Sequence, residues 1–298
     1  MSYVILDLEW NGSYSKSQKR YINEIIEFGA VKTDDDFNII DRFSMLITPQ
    51  IGKKLCNKVK ELTKITNEEL EASGVTFMHA VSKFTKFSQD SVLLTWSTSD
   101  IHALIENYSY YTHEIKLPFL NKYCNLQKYC ERCLGTENPA AQLGLGTCAQ
   151  LLSIEFSEQE QHRAFSDAEL SLKCLKYFIS DYSIEPFIID ASKSAFYDRI
   201  MFRNHYITDI NSPDIDKSQM IFSCDECGCL AEQKSKWKVR NKHFAADFEC
   251  PDCGKKFSGR VAFKRKFEGV IVKKKIYVPK PAPNAETQNE NKETEVKN

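Results

Sequence analysis

The chain opens on an apolar run, Tyr3-Val4-Ile5-Leu6, that ends in Asp7-Leu8-Glu9-Trp10. A short run of this composition predicts a strand, here over residues 3–9. Two further strands are predicted at about 25–33 and 39–48. The period then lengthens, and apolar positions three and four apart predict helices at about 54–63, 67–72 and 76–89. Val92-Leu93-Leu94 marks a strand over 91–95 that leads into a helix over 99–111. A short strand near 122–125 runs into a helix through 134, and further helices cover about 147–152 and 164–181. In the last of these, Ala168, Leu172, Leu175 and Ile179 keep helical spacing, so one face packs on a core. Three strands followed by alternating helices and strands predict an α/β domain, a mixed sheet covered by helices.

Beyond residue 183 the pattern weakens. Phe187-Ile188-Ile189 is strand-like and 195–202 is helix-like, so 184–219 reads as a connector with some structure. From 220 to 278 short alternating stretches predict a small β-rich domain, and the polar segment 279–298 predicts disorder.

Side chains two apart on a strand share a face, which sets Asp7 and Glu9 side by side, roughly 7 Å apart. Such a pair either faces solvent or repels in a partly buried position, where divalent cations are the usual remedy. More acid lies downstream. Asp100 follows Thr95-Trp96-Ser97-Thr98-Ser99 near the start of a helix, where Ser99 or Asp100 also suits an N-cap. Asp167 falls in the early turns of the 164–181 helix, a position that also suits the helix dipole. His162 precedes that helix; it reads as a surface or capping residue or as a general base, since histidine titrates near neutrality.

Taken together these residues resemble the DEDDh family of 3′→5′ exonucleases. The first motif is Asp7 and Glu9, the second ends at Asp100, and the third is His162, Ala164 and Asp167, with the histidine five before the aspartate. The resemblance runs from about residue 2 to 182 and includes Asn23-Glu24-Ile25-Ile26-Glu27-Phe28-Gly29-Ala30-Val31 and Leu62-Thr63-Lys64-Ile65-Thr66. Ser97 stands where the branch with a Thr-Trp second motif usually has Gly. The resemblance implies a ribonuclease-H-like fold with a mixed five-stranded sheet. It also implies two Mg²⁺ or Mn²⁺ ions held by Asp7, Glu9, Asp100 and Asp167, with Asp7 bridging both and His162 taking a proton from the attacking water. Nucleoside 5′-monophosphates would leave one at a time from a free 3′ end of single-stranded RNA or DNA, with RNA favoured from the form of the second motif. Leu8 and Trp10 are expected at the terminal nucleotide, Trp10 equally as a packed core-edge residue. Trp96 reads as structural. The alternative is a catalytically silent nucleic-acid-binding or protein-docking adaptor on the same fold; all five chemical residues being present argues against it.

Composition adds a second site. Cys224-Asp225-Glu226-Cys227 and Cys250-Pro251-Asp252-Cys253 are paired knuckles, each followed by glycine. This is the pattern of a zinc ribbon, with one structural Zn²⁺ in four thiolates; iron and His243 are minor alternatives. Cys130-Glu131-Arg132-Cys133 lacks a second knuckle and reads as ordinary thiols. The eleven cysteines otherwise fit an intracellular, cytoplasmic chain, and no apolar run approaches a membrane span. The net charge of −1 hides an asymmetry: residues 215–280 hold 16 Lys and Arg against 8 Asp and Glu. Basic and apolar residues alternate between the knuckles, a pattern that suits contact with phosphates or a merely solvated face. The expected domains are therefore an exonuclease domain 1–183, a connector 184–219, a zinc ribbon 220–278 and a tail 279–298.

Overall fold

A computed structural model of the chain describes residues 1–52, 54–137, 142–157 and 162–278. The expected tail, 279–298, lies outside the described residues. The chain divides into two compact units, 1–201 and 202–298.

The first unit begins with β1 (Ser2–Ser15), β2 (Arg20–Thr33) and β3 (Ile39–Leu46). Then come α1 (Asn57–Thr63), α2 (Asn67–Ser73), α3 (Phe77–Phe87), β4 (Ser91–Thr95) and α4 (Ser99–Thr112). It closes with β5 (Lys122–Asn125), α5 (Leu126–Cys133), α6 (Leu145–Leu151), α7 (Ala164–Phe178), β6 (Ile189–Asp190) and α8 (Ser194–Met201). The sheet order is β3-β2-β1-β4-β5-β6, so β1 is central, antiparallel to β2 and parallel to β4. Its even residues Val4, Leu6 and Leu8 join one apolar layer with Phe77, Phe84 and Leu104 of α3 and α4. Its odd residues Tyr3 and Ile5 join a second layer with Tyr129, Leu172 and Leu175 of α5 and α7. Burial on both faces explains why β1 starts as a continuous apolar run.

The sheet extends one strand past the expected five, because β6 pairs antiparallel with β5. β1 and β2 also run longer than expected. Their distal halves pair only with each other, for example Tyr14 with Tyr21, and so lack the apolar signature of the central stretch. The stretch 184–219 divides between the two units. Ile184, Phe196 and Tyr197 pack in the first, whereas Ile207 and Ile215 pack in the second.

The second unit holds β7 (His205–Tyr206), β8 (Glu232–Gln233), β9 (Lys238–Arg240), β10 (His243–Glu249), β11 (Lys256–Lys266) and β12 (Gly269–Tyr277). The order is β12-β11-β10-β8, with β9 also beside β10 and β7 beside β11. Phe222, Phe244, Phe248, Phe257, Val261 and Phe263 form its core. No helix among the described residues is long and apolar enough to cross a membrane.

Candidate active site

β4 pairs with β1 only as far as Leu6 with Thr95. β1 continues past that point, and Asp7 and Glu9 extend its odd row beyond the end of the parallel pairing. Ligands in open α/β sheets bind at the carboxyl ends of such strands. A bulge between Glu9 and Trp10 follows at once, which pairs Glu9 with Glu27 and Trp10 with Ile25.

Asp100 arrives from β4 through the turn 96–98. The Tyr123 hydroxyl lies 2.9 Å from both the Thr95 hydroxyl and the Ser97 carbonyl, and the Thr95 hydroxyl also donates to that carbonyl. The Ser97 hydroxyl accepts from the Ser99 N–H at 3.0 Å, so serine in place of glycine finds a use within the turn. Thr98 occupies the N-cap position and Asp100 falls in the first turn of α4, where it is buried and accepts the Leu8 N–H.

Asp167 lies in the first turn of α7, and its carboxylate accepts the His162 N–H at 3.1 Å. Gly29 lets α7 come this close to the sheet. A Cβ there would lie 2.0 Å from the Phe165 nitrogen and 2.1 Å from the Ala164 carbonyl carbon. Gly29 is the cross-strand partner of Asp7. His162 holds a left-handed backbone, φ 64°, which is uncommon without glycine and concentrates at functional sites.

Asp7, Glu9, Asp100, His162 and Asp167 all line one open cavity of about 410 Å³. Ligand atoms of Glu9, His162 and Asp167 lie within 4.8 Å of one another. Trp10, Val59 and Leu62 form apolar parts of the wall, and Lys58 adds a cation. Leu8 touches the cavity, but its side chain belongs to the core. Trp96 is buried, donates its indole N–H to the Leu143 carbonyl at 3.0 Å, and also lines the cavity.

The crowding of acids shows in their titration. Burial, reinforced by Asp100, Asp167, Glu9 and Glu27, holds Asp7 well above the carboxylate range. Burial and then Asp167, Glu27 and Asp100 push Glu9 up to about 8, while Arg163 acts the other way. Asp100 rises to about 7, chiefly through burial and against the N–H bonds it accepts. Asp167 is also raised by burial, opposed by its bond from His162. A cluster that disfavours its own ionisation is one that dications would discharge, so the donor set fits hard divalent metal.

Sequence reasoning missed Glu27 and Arg163. Glu27 is buried in β2 and bound bidentately by Arg163, whose Nη2 donates to Oε1 at 2.8 Å. The Ala164 N–H donates to the same carboxylate at 3.0 Å. The available signal was an acid inside the apolar run Ile25-Ile26-Glu27-Phe28.

The comparisons with known proteins place this geometry. The profile of the exonuclease family, RNase T, matches residues 4–175. The chain belongs to the exonuclease family. Among its relatives is the probable 3′-5′ exonuclease KapD of Bacillus subtilis, 27% identical over 188 residues, which cover 60% of this chain and 85% of that one. PolC-type DNA polymerase III of Mycoplasma genitalium is 27% identical over 179 residues, 59% of this chain but only 11% of the polymerase. The nuclease domain of 3′hExo, a DEDDh member solved with rAMP, shares the fold with a TM-score of 0.52 and 20% identity, over 62% of this chain and 94% of that domain. The resemblance to DEDDh 3′→5′ exonucleases is thus borne out, and the chain is a metal-dependent nuclease.

The second site is built within the other unit. Cys224, Cys227, Cys250 and Cys253 bring their sulfurs together within 4.8 Å, with Cys224 3.6 Å from Cys253, and Cys227 3.3 Å from Cys250 and 3.8 Å from Cys253. Tetrahedral zinc at a Zn–S distance of about 2.3 Å requires sulfurs about 3.8 Å apart, so the cluster fits that metal. Each knuckle turns on a glycine with positive φ, Gly228 and Gly254, whose N–H donates to the carbonyl of Cys224 or Cys250. Cys130 is buried and Cys133 half-buried, and neither is in a disulfide.

Proposed function

We propose that this exonuclease removes nucleoside 5′-monophosphates from the 3′ end of single-stranded nucleic acid, RNA ahead of DNA, by a two-metal hydrolysis. One observation carries the reading: acids from β1, α4 and α7 and one histidine converge on a single cavity. Asp7, Glu9, Asp100 and Asp167 are the residues that would hold two Mg²⁺ or Mn²⁺ ions. Such ions, when bound, stabilise the attacking and leaving oxygens of an in-line displacement. His162 stands at the exposed edge of the cluster and takes the proton of the attacking water. Its N–H bond to Asp167 ties the base to the acid cluster. Trp10, Val59 and Leu62 offer an apolar surface on which a terminal base stacks, which favours an unpaired end. The preference for RNA is supported by two neighbours, one solved with rAMP and one described as recognising a histone mRNA stem-loop (TM-score 0.51, 19% identical, over 61% of this chain and 83% of that one). The four cysteines would hold one structural Zn²⁺.

The test is digestion of 5′-labelled single-stranded, blunt and 3′-recessed RNA and DNA with Mg²⁺, Mn²⁺ or chelator. A ladder shortening one nucleotide at a time from the 3′ end, fastest on single-stranded RNA, is expected. Internal cuts, or intact oligonucleotides with every metal, would overturn the reading.

A further inference from the structure

The outer face of the second unit's sheet is a cationic platform. Side chains alternate along β11, so Phe257, Val261 and Phe263 enter the core while Arg260 and Lys264 face outward. Paired residues share a face, which extends the pattern sideways. One row across the sheet reads Lys238, Ala245, Arg260, Lys275. One pair further along, Arg240 stands beside His243 and Ala262 beside Lys273. At strand spacing, four residues in a row span about 14 Å.

Among the described residues of this unit, Arg265 with Asp214 and Lys255 with Asp225 and Glu226 pair off these rows. Lys256 with Glu249 and Lys234 with Glu232 pair at the far end of the same face, where Asp247 and Glu249 of β10 point outward and leave the rows through Arg260 and Lys273 as its cationic end. Aromatic rings sit among these cations. The Arg260 guanidinium lies 4.3 Å from the centre of the exposed Tyr277 ring, and Lys242 and Lys264 lie over Tyr206 at 5.7 and 5.5 Å. Two ring or guanidinium nitrogens on this face, Arg260 Nε and His243 Nε2, are buried and lack a hydrogen-bond partner among the described residues. Small residues, Ala245 and Ala262, leave the middle of the face low. A shallow floor with dense positive charge and tyrosine rings at its edge matches a flexible polyanion whose bases can stack.

We propose that this face binds the phosphate backbone of a single nucleic-acid strand. The choice of occupant rests on the exonuclease reading. Arg260, Lys273 and Lys275 bind phosphates, and Tyr206 and Tyr277 stack bases.

The probe is a 5′-fluorescein U20 oligonucleotide, titrated with full-length chain carrying Asp7→Asn so that the strand survives. Log affinity falls with log salt by about 0.7 per phosphate contacted, so four contacts lose roughly fifty-fold between 50 and 200 mM KCl. Adding Arg260→Gln, Lys273→Gln and Lys275→Gln is expected to weaken binding at least tenfold at the lower salt and to flatten the slope by about 2. Arg260→Lys alone controls for folding and is expected to keep the slope. Unchanged affinity and slope in the triple variant, with zinc content retained, would overturn the proposal. So would displacement of the probe by polyglutamate as readily as by unlabelled U20, which would mark a site for acidic protein. Binding at this face by an oligonucleotide that the unaltered chain leaves uncut would strike the exonuclease reading and leave this one standing.

Discussion

Arg163 grips Glu27 with two nitrogens: Nε donates to Oε1 and Oε2 at 3.1 and 3.2 Å, and Nη2 donates to Oε1 at 2.8 Å. Glu27 stands directly opposite Glu9 across β1 and β2, a like-charge pair that destabilises a sheet when unattended. The guanidinium neutralises the inner acid and draws the outer one towards ionisation. Arg163→Ala is expected to lower stability by about 2–4 kcal/mol, because it leaves a buried carboxylate without its partner. Activity near neutrality is also expected to fall, as Glu9 holds its proton more tightly. Arg163→Lys recovers only part of both, since one ammonium cannot reproduce the fork. Denaturant unfolding and a pH–rate profile of each variant check this; wild-type behaviour in Arg163→Ala would refute it.

The raised carboxylates make the metal-free protein pH-sensitive in a set direction. Glu9 and Asp100 titrate near 8 and 7 in the folded chain, and unfolded Glu and Asp near 4. The folded state therefore keeps protons that the unfolded state has released, and stability falls as pH rises from about 4 to 8. Melting of metal-stripped protein is expected to drop across that window. Mn²⁺ should restore it with release of protons, and Asp7→Asn should soften the drop. A melting point that climbs with pH in the absence of metal would contradict the electrostatic account.

His162 allows backbone and imidazole to be separated. His162→Ala forces a side chain into φ 64°, whereas His162→Gly relaxes that conformation and still lacks the base. Both are expected to lower kcat by 10²–10⁴ with metal affinity largely kept. The glycine variant should be the more stable of the two. Turnover near wild type in either would remove the histidine from the chemistry. Asp7→Ala, by contrast, is expected to abolish turnover altogether.

Gly29→Ala tests the seat of α7. The new methyl meets backbone, not a mobile side chain, so the helix must move away from β2. A loss of about 3 kcal/mol is expected, with activity falling further than stability accounts for. Retained activity at full occupancy of the folded state would show that the helix position is less critical than the contact implies.

Much of this molecule was legible in its residue order. Asp7 and Glu9 announced themselves because an apolar strand rarely ends in two acids on one face. The cysteine knuckles were legible because a four-thiolate metal site would demand that spacing, and the fold brings the same four sulfurs together. Arg163 was not, because a partly exposed arginine before a helix looks like any surface cation until β2 brings Glu27 beneath it. The cavity's Val59 and Leu62 were equally silent, since an amphipathic α1 gives no hint of which apolar residues face a cleft. The split of 184–219 between two units depended on pairings of two residues each, too short to leave a periodic trace.

β1 is at once the middle of the sheet and the carrier of the first two acids. Inserting or deleting one residue before Asp7 would exchange the occupants of the two sides, turning carboxylates into the oily layer and leucines towards the cleft. The packed interior and the placement of the chemistry therefore share one register, and a one-residue slip here would cost both at once.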